Sequence, residues 1–266
     1  MMKRKLSLTS AMHYVRLTYR GALLLWAVIL WGRNPGFHRM TFTEGMHQFR
    51  GMFLAVWVVL AFEMCARFFP FPTESMGSQK QFARNYMPTR RAEPDLGVVN
   101  RGVGIALASW IVLNGVIGIL HMMKILSDGA LLLIALFYSV SDIICILFFC
   151  PFQTWMMKNR CCATCRIYNW DYLMMVTPLM MIRTFYTWSL SALAIGLFLR
   201  WEITARRRPE RFAVETNTAL KCANCTEKLC FHKKQLRSFW QKEFRTNGNS
   251  VAGDAGSVME YNTEKN

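Results

Sequence analysis

The chain has 266 residues, of which 53% are hydrophobic, 14% aromatic and only 18% charged. Soluble domains average roughly 45–50% apolar and about 25% charged residues, and disordered chains are poor in aromatic side chains, so the composition excludes both classes. An integral membrane protein remains, in which the excess of 32 Lys and Arg over 16 Asp and Glu indicates anionic lipid headgroups as a partner and argues against nucleic acid.

Five apolar stretches approach the roughly 20 residues that a helix needs to cross a hydrocarbon core of about 30 Å. In chain order they are 21–32, 52–71, 102–123, 130–152 and 172–199. The first is too short to cross alone and must extend toward the N-terminus, with Arg16 and Arg20 reaching the interface through their long side chains. The sequence therefore predicts an all-α fold, a polytopic integral membrane helical bundle of four to five spans with a small cysteine-containing extramembrane module.

The last three stretches carry information about connectivity. Only residues 124–129 separate the third stretch from the fourth, which predicts a tight antiparallel helical hairpin. The fifth stretch contains Pro178 and Arg183. It is either one tilted, kinked span or a re-entrant piece that turns near one of these two residues, surrounded by protein.

The distribution of Lys and Arg orients the bundle, because cytoplasmic loops are enriched in these residues. If four stretches cross and the fifth re-enters, 27 Lys and Arg lie on the cytoplasmic side and 4 lie outside. Five single crossings give 17 against 14, and a first stretch that lies at the interface gives 22 against 9. The re-entrant arrangement is preferred, with the C-terminal tail in the cytoplasm and the plasma membrane as the expected location.

Polarity and charge divide the chain into three predicted parts. Residues 1–201 form the transmembrane bundle, with a polar loop at 72–101 and a cysteine-bearing loop at 153–171. Residues 202–246 form a basic, cysteine-containing cytoplasmic segment. The polar residues 247–266 form a disordered tail.

Four Asp, Glu or Arg residues fall inside the apolar stretches, where a charge is costly and is functional by default: Glu63, Arg67, Asp142 and Arg183. Asp142 lies near the middle of the fourth stretch, and we expect it to pair with Arg183 or His121, or to bind a proton or a cation. Glu63 and Arg67 are four residues apart on one helix face. Their spacing predicts a self-neutralising pair near the membrane interface.

Six of the nine cysteines form two polar clusters on either side of the fifth stretch. A Cys-x2-Cys turn presents two sulfurs on one loop, and two such turns together build tetrahedral zinc or iron–sulfur sites. The predicted metal ligands are Cys162, Cys165, Cys222 and Cys225, with Cys161, Cys230 and His232 as further candidates. Cytoplasmic thiols stay reduced, which favours metal binding over structural disulfides. Cys65, Cys145 and Cys150 lie within apolar stretches and are interpreted as packed small hydrophobic residues.

The expected function follows from these cysteines. A metal shared by the two clusters would clamp the loop and the tail together, docking a protein partner at the cytoplasmic face or sensing metal. The first alternative is a membrane thiol–disulfide or electron-transfer oxidoreductase that exchanges electrons with a quinone or a second protein. The second alternative is a transporter centred on Asp142. No nucleotide-binding, serine-nucleophile or zinc-protease motif indicates another enzyme class.

Overall fold

The computed structural model describes residues 7–34, 49–89, 97–157 and 161–225, and its secondary structure is helical without a strand in these ranges. The predicted all-α class is confirmed. The α-helices of the described ranges are α1 (Leu8–Arg33), α2 (Arg50–Arg67), α3 (Met76–Gln79), α4 (Gly97–Met122), α5 (Asp128–Leu147), α6 (Asp171–Val176) and α7 (Phe185–Arg207). Three of them are long and apolar enough to cross a membrane, namely α1, α4 from Arg101 onward, and α5. The predictions for Cys230, His232 and the C-terminal tail fall outside the described ranges.

Hydroxyl side chains fix where three of the long helices begin. The Oγ atom of Ser7 caps α1, and that of Ser127 caps α5, through backbone N–H groups 3.2 and 3.3 Å away. Thr184 caps α7 in the same way at 3.4 Å. Each cap satisfies an N–H group that the first helical turn leaves without an intrahelical partner. Because its cap lies far ahead of the apolar stretch 21–32, α1 becomes long enough to cross a membrane.

A short turn joins α4 to α5, but the two helices separate instead of packing along their length. Lys124 has a φ angle of 62°, and this left-handed residue ends α4 and redirects the chain. Ile125 N donates to Leu120 O at 3.0 Å and completes the turn. The segment Thr177–Met181 packs against both helices. The predicted short connection is present, but the predicted tight packing is wrong, because this segment is wedged between the two helices.

The fifth apolar stretch folds back on itself. After α6 the chain continues through the 3-10 turn Thr177–Met181, becomes extended around Arg183 and returns as α7. At the other end of this hairpin, Trp170 Nε1 donates a hydrogen bond to Glu202 Oε1 at 2.8 Å. The residues that precede α6 therefore lie beside the end of α7. The chain therefore reverses direction within this stretch and does not form one continuous kinked helix.

Both described cysteine turns lie at one end of the bundle, which we call the cysteine end. It is formed by residues 72–89, 161–170 and 208–225. Lys80 Nζ donates to Cys165 O at 2.8 Å, which attaches residues 162–165, the first cysteine turn, to residues 72–89, which we call the polar segment. Arg211 Nη1 donates to Gln81 O at 3.2 Å, so the chain leading to Cys222 packs on the same segment. The α4–α5 turn and the hairpin turn lie at the opposite end.

Two hydrophobic clusters hold the elements together. The larger one surrounds Met64, Leu131 and Tyr172, and the smaller one surrounds Ile143 and Trp201 near the cysteine end. Only 11% of the apolar part of α4 is buried inside the bundle, whereas 44% of the apolar part of α5 is buried. The outer surface of α4 is therefore apolar and uncovered, as expected for a helix that faces hydrocarbon.

Candidate functional site

A network of buried charges joins α1, α2, α5, α6 and the polar segment. Its members are Arg16, Arg20, Glu63, Arg67, Glu74, Asp142 and Asp171. Arg20 is 1% exposed and pairs with Glu63, with Asp142 Oδ2 at 3.2 Å and with Ser139 O at 2.8 Å. Tyr19 also donates a hydrogen bond to Glu63. One guanidinium therefore connects three long helices.

Arg67 forms the second centre of the network, close to the cysteine end. Its Nε atom lies 3.1 Å from Glu74 Oε2, and its Nη1 atom lies 2.9 Å from Asp171 Oδ2. The same Nη1 donates to Asn169 Oδ1 at 2.9 Å. Arg16 pairs with the other oxygen of Glu74. A buried ion is stable only when opposite charges and hydrogen bonds surround it, and Arg67 meets that condition.

The predicted pair of Glu63 with Arg67 does not form. Glu63 pairs with Arg20, whereas Arg67 turns to the carboxylates of Glu74 and Asp171. The spacing places both side chains on one face of α2, but each finds a stronger set of partners on another element. Spacing of four residues allows two side chains on one helix to meet. A buried charge, however, pairs with the groups that best replace the water it has lost.

The predicted partner of Asp142 is also wrong. Asp142 pairs with Arg20, while Arg183 is exposed at the hairpin turn, at the other end of the bundle. His121 Nε2 lies 3.7 Å from Asp128 Oδ1, not beside Asp142. Arg16 and Arg20 of α1 do not extend to a membrane interface as predicted. They pair inside the bundle with the buried carboxylates of Glu74 and Glu63.

The described network contains four carboxylates and three guanidiniums. With every group ionised it would carry one net negative charge away from water, which is unfavourable unless a proton or a cation compensates. Asp142 is the most accessible of the carboxylates, with 16% of its side chain exposed against 5% for Glu63 and 3% for Glu74. It is the more exposed of the two network carboxylates that line the cavity next to it, because Asp171 is only 5% exposed.

A cavity of about 280 Å³ lies between α4, α5 and the chain that leads into α6. Trp110, Phe137 and Tyr138 form much of its apolar wall. Asp142 and Asp171 are its two acidic lining residues. The segment Thr177–Met181 packs against both helices but contributes no residue to the lining of this cavity.

The first cysteine turn lies against this cavity. Cys162 and Cys165 both line it, together with Cys145 and Cys150 from the end of α5 and the residues after it. Cys162 Sγ donates a hydrogen bond to Gln153 Oε1 at 3.4 Å. The sequence indicated Cys145 and Cys150 only as packed residues and gave no sign that the cavity unites them with the turn. The third of that group, Cys65, is exposed on α2, so its interpretation as a packed residue is wrong.

The two Cys-x2-Cys turns have the same backbone geometry. Cys165 N donates to Cys162 O at 3.1 Å, and Cys225 N donates to Cys222 O at 3.3 Å, each closing a 3-10 turn. In the described ranges, however, no three His, Cys, Asp or Glu side chains converge on a point where they could hold a metal. Cys222 is exposed and Cys225 half-buried, whereas the first turn faces the cavity. The metal site that both turns would share stays a prediction.

Lys80 lies behind the first cysteine turn. Its Nζ atom is buried 5.4 Å from the centre of the Trp201 ring and 5.5 Å from that of Phe212. Burial lowers the pKa of Lys80 to about 8. Burial also raises the pKa of Cys165 to about 12, against the opposing effect of the nearby Lys80 ammonium. Cys165 is therefore a protonated thiol at neutral pH.

No protein-family model, curated protein or solved structure matches this chain. Residues of the charge network and of the first cysteine turn line the same apolar cavity, and the function of the protein has to account for this combination. Of the residues that the sequence singled out, the cavity brings together Asp142, Cys162 and Cys165.

Proposed function

We propose that the protein is an integral membrane thiol oxidoreductase in which Cys162 and Cys165 form a dithiol–disulfide couple. The observation that carries the proposal is that both residues line an apolar cavity beside helices apolar enough to cross a membrane. A turn closed between its first and fourth residues keeps their Cα atoms within about 7 Å, and a disulfide needs about 4.4–6.8 Å. The turn can therefore close a disulfide with little backbone movement.

The two cysteines have different environments, which suits different roles. Cys162 is half-buried, whereas Cys165 is buried and has a raised pKa. Thiolates are the nucleophiles in disulfide exchange, so a thiolate of a partner attacks the more accessible Cys162 of the Cys162–Cys165 disulfide, Cys165 leaves as a thiol, and the partner's second thiol then resolves the mixed disulfide. The protein's disulfide becomes two thiols, and two thiols of the partner become one disulfide, so atoms and electrons balance.

The proposed topology places the cysteine end in the cytoplasm. In it α1, α2, α4 and α5 cross the bilayer, while the hairpin of α6 and α7 enters and leaves at the cysteine end. The count of 27 Lys and Arg on that side against 4 on the other supports this orientation. The basic residues at the cysteine end then face the anionic headgroups of the inner leaflet of the plasma membrane, and a protein partner docks there.

The test is a redox titration of the purified full-length protein in detergent. Buffers of reduced and oxidised glutathione set the potential, and mass shifts after maleimide–polyethylene glycol labelling count the thiols. We expect one disulfide between Cys162 and Cys165, which is lost in Cys162→Ser and in Cys165→Ser. The matched controls Cys222→Ser and Cys225→Ser alter the other turn and should keep that disulfide. A protein whose thiols do not titrate, or whose disulfide survives in Cys165→Ser, would refute the proposal.

A structural metal site is the second candidate, because the two Cys-x2-Cys turns share one backbone geometry at one end of the bundle. Its ligands would be Cys162, Cys165, Cys222 and Cys225, binding zinc or an iron–sulfur cluster. Metal analysis of the same preparation distinguishes the two functions. Stoichiometric zinc or iron that is lost in Cys222→Ser supports the metal site, whereas a metal-free protein with a reversible disulfide supports the oxidoreductase.

A further inference from the structure

The cavity beside the cysteine turn is small and opens toward the side of the bundle. Its volume of about 280 Å³ is just below the roughly 300 Å³ at which ligand sites in proteins usually begin. Leu113 on α4 and Phe137 on α5 line it and are 48% and 59% exposed on the outer surfaces of these helices. Both helices are apolar enough to cross a membrane. An occupant can therefore enter from the hydrocarbon without passing through water.

The walls suit one flat ring with few polar atoms. The rings of Trp110 and Tyr138 approach to 5.0 Å between centroids at an interplanar angle of 57°. Phe137 adds a third ring to the lining. Aromatic side chains of this kind stack on or edge against a planar ring. A sugar or a multiply charged molecule would leave polar groups unpaired against these walls.

The cavity lining also contains side chains that can exchange electrons and protons. Cys162 and Cys165 line the cavity, and so does Asp142. A dithiol gives up two electrons together when it forms a disulfide. A small, planar, apolar molecule that enters from lipid and accepts two electrons is a quinone.

We propose that this cavity binds the ring of a lipid-soluble quinone, which oxidises the Cys162–Cys165 dithiol. The inference rests on the proposed oxidoreductase function and names the acceptor for it. Both S–H bonds break and one S–S bond forms, while the two carbonyl oxygens of the quinone each gain a hydrogen and become the hydroxyls of a quinol. The thiols supply both protons and both electrons, so no further reactant is required.

Asp142 is placed to carry a proton between the thiols and the ring. Its carboxylate reaches the cavity and belongs to a network with one more carboxylate than guanidiniums. Arg20 holds it on the network side at 3.2 Å, which leaves its exposed part to face the occupant. One proton taken up there compensates the excess negative charge of the network while the disulfide forms.

The experiment uses reduced full-length protein in detergent, mixed without oxygen with tail-less ubiquinone or tail-less menaquinone. Absorbance follows quinol formation, and maleimide labelling follows the thiols. We expect one quinol for each disulfide formed, and no quinol from Cys165→Ser. Leu113→Trp fills the mouth of the cavity and should slow quinol formation by about tenfold or more. Val112→Trp changes a residue that is 66% exposed and outside the cavity lining, and it should react at the wild-type rate.

The outcomes distinguish failure of the quinone inference from failure of the proposed oxidoreductase function. Leu113→Trp should still form its disulfide with oxidised glutathione, because that reagent reaches the turn from water. If the wild-type protein forms the disulfide with glutathione but reduces neither quinone, the quinone inference is wrong and the oxidoreductase stands. If neither oxidant forms the disulfide, both proposals fail. Equal rates for Leu113→Trp and Val112→Trp would show that the quinone reacts elsewhere, which also overturns the inference.

Discussion

Arg20 shows how strongly a single buried side chain can organise this bundle. It is 1% exposed and bridges Glu63 on α2 and Asp142 on α5. Without Arg20, two carboxylates would remain buried with no guanidinium between them. Removing one partner of a buried ion pair lowers the free energy of unfolding by about 3–5 kcal/mol, which is more than most surface substitutions do.

We therefore expect Arg20→Met to lower the free energy of unfolding by about 3–5 kcal/mol. Unfolding in detergent micelles, followed by tryptophan fluorescence, measures the change. Arg183→Met is the matched control, since Arg183 is exposed and its replacement should change stability by less than about 0.5 kcal/mol. Similar losses in the two variants would mean that the network does not stabilise the bundle.

Glu74 makes stability depend on pH. Burial alone would raise the pKa of Glu74, but the Arg67 and Arg16 guanidiniums outweigh burial and hold the pKa below its ordinary value of 4.5. A carboxyl whose folded pKa is depressed stabilises the protein above its unfolded pKa, and this contribution disappears as the pH falls through the folded pKa.

Glu74→Gln should accordingly reduce stability most at neutral pH. We expect the difference in melting temperature between wild type and Glu74→Gln to stay constant down to about pH 4.5 and to shrink below it. Thermal unfolding across a pH series measures this difference. Glu210→Gln, which removes a more exposed carboxylate, should show little difference at any pH. A Glu74→Gln difference that did not change with pH would contradict the assignment.

Much of the charge network could be anticipated residue by residue, but its pairing could not. Asp142, Glu63 and Arg67 stand out in the sequence because charges in apolar stretches are rare. Spacing along one helix tells which side chains share a face, but it does not tell which helix lies opposite. Arg20 was assigned to the interface for this reason, since its acidic partners are distant in the sequence.

At the scale of elements, the close approach of α4 to the π-helical turn Phe152–Met156 positions one side of the cavity. A Cβ atom at Gly102 would lie 2.8 Å from Met156 O and 3.2 Å from Met157 Cα. Both neighbours are backbone atoms, which yield less readily than the end of a side chain. Gly104, one half-turn further along α4, has no such atom within 4 Å.

The two glycines should respond in opposite directions to alanine. Gly104→Ala should stabilise α4 by roughly 0.5–1 kcal/mol, because alanine is the better helix former. Gly102→Ala should destabilise the protein by about 1–3 kcal/mol, because the turn must move away. The free energy of unfolding in detergent measures both effects. A stabilising Gly102→Ala would show that α4 does not pack closely on this turn.

The elements themselves were largely predictable, because apolar periodicity and length determine them. The sequence left open whether the fifth stretch reverses direction, and Pro178 marks the region where its first arm ends. The wedge between α4 and α5 was not predictable, since it depends on three elements meeting in space. For the same reason Cys145 and Cys150 gave no sign of lining the cavity with Cys162.

At the scale of the whole molecule, the cysteine end and the hairpin turn are at opposite ends of the bundle. If the bundle spans the membrane as proposed, a membrane-impermeant maleimide should label Cys222 only in inverted vesicles. The same reagent should label a cysteine introduced by Arg183→Cys only in intact cells. Single-cysteine variants keep the two signals apart. Labelling of both positions from one side would rule out this transmembrane arrangement.

The network also constrains how the chain is made. α1 leaves the ribosome first, with Arg16 and Arg20 on a face that has no acid beside it until Glu63 and Glu74 follow. An arginine at the centre of a lone helix costs about 2.5–3.5 kcal/mol on insertion scales. If α1 spans the membrane as proposed, this cost is relieved only when α2 supplies Glu63, so we expect α1 to insert stably together with α2.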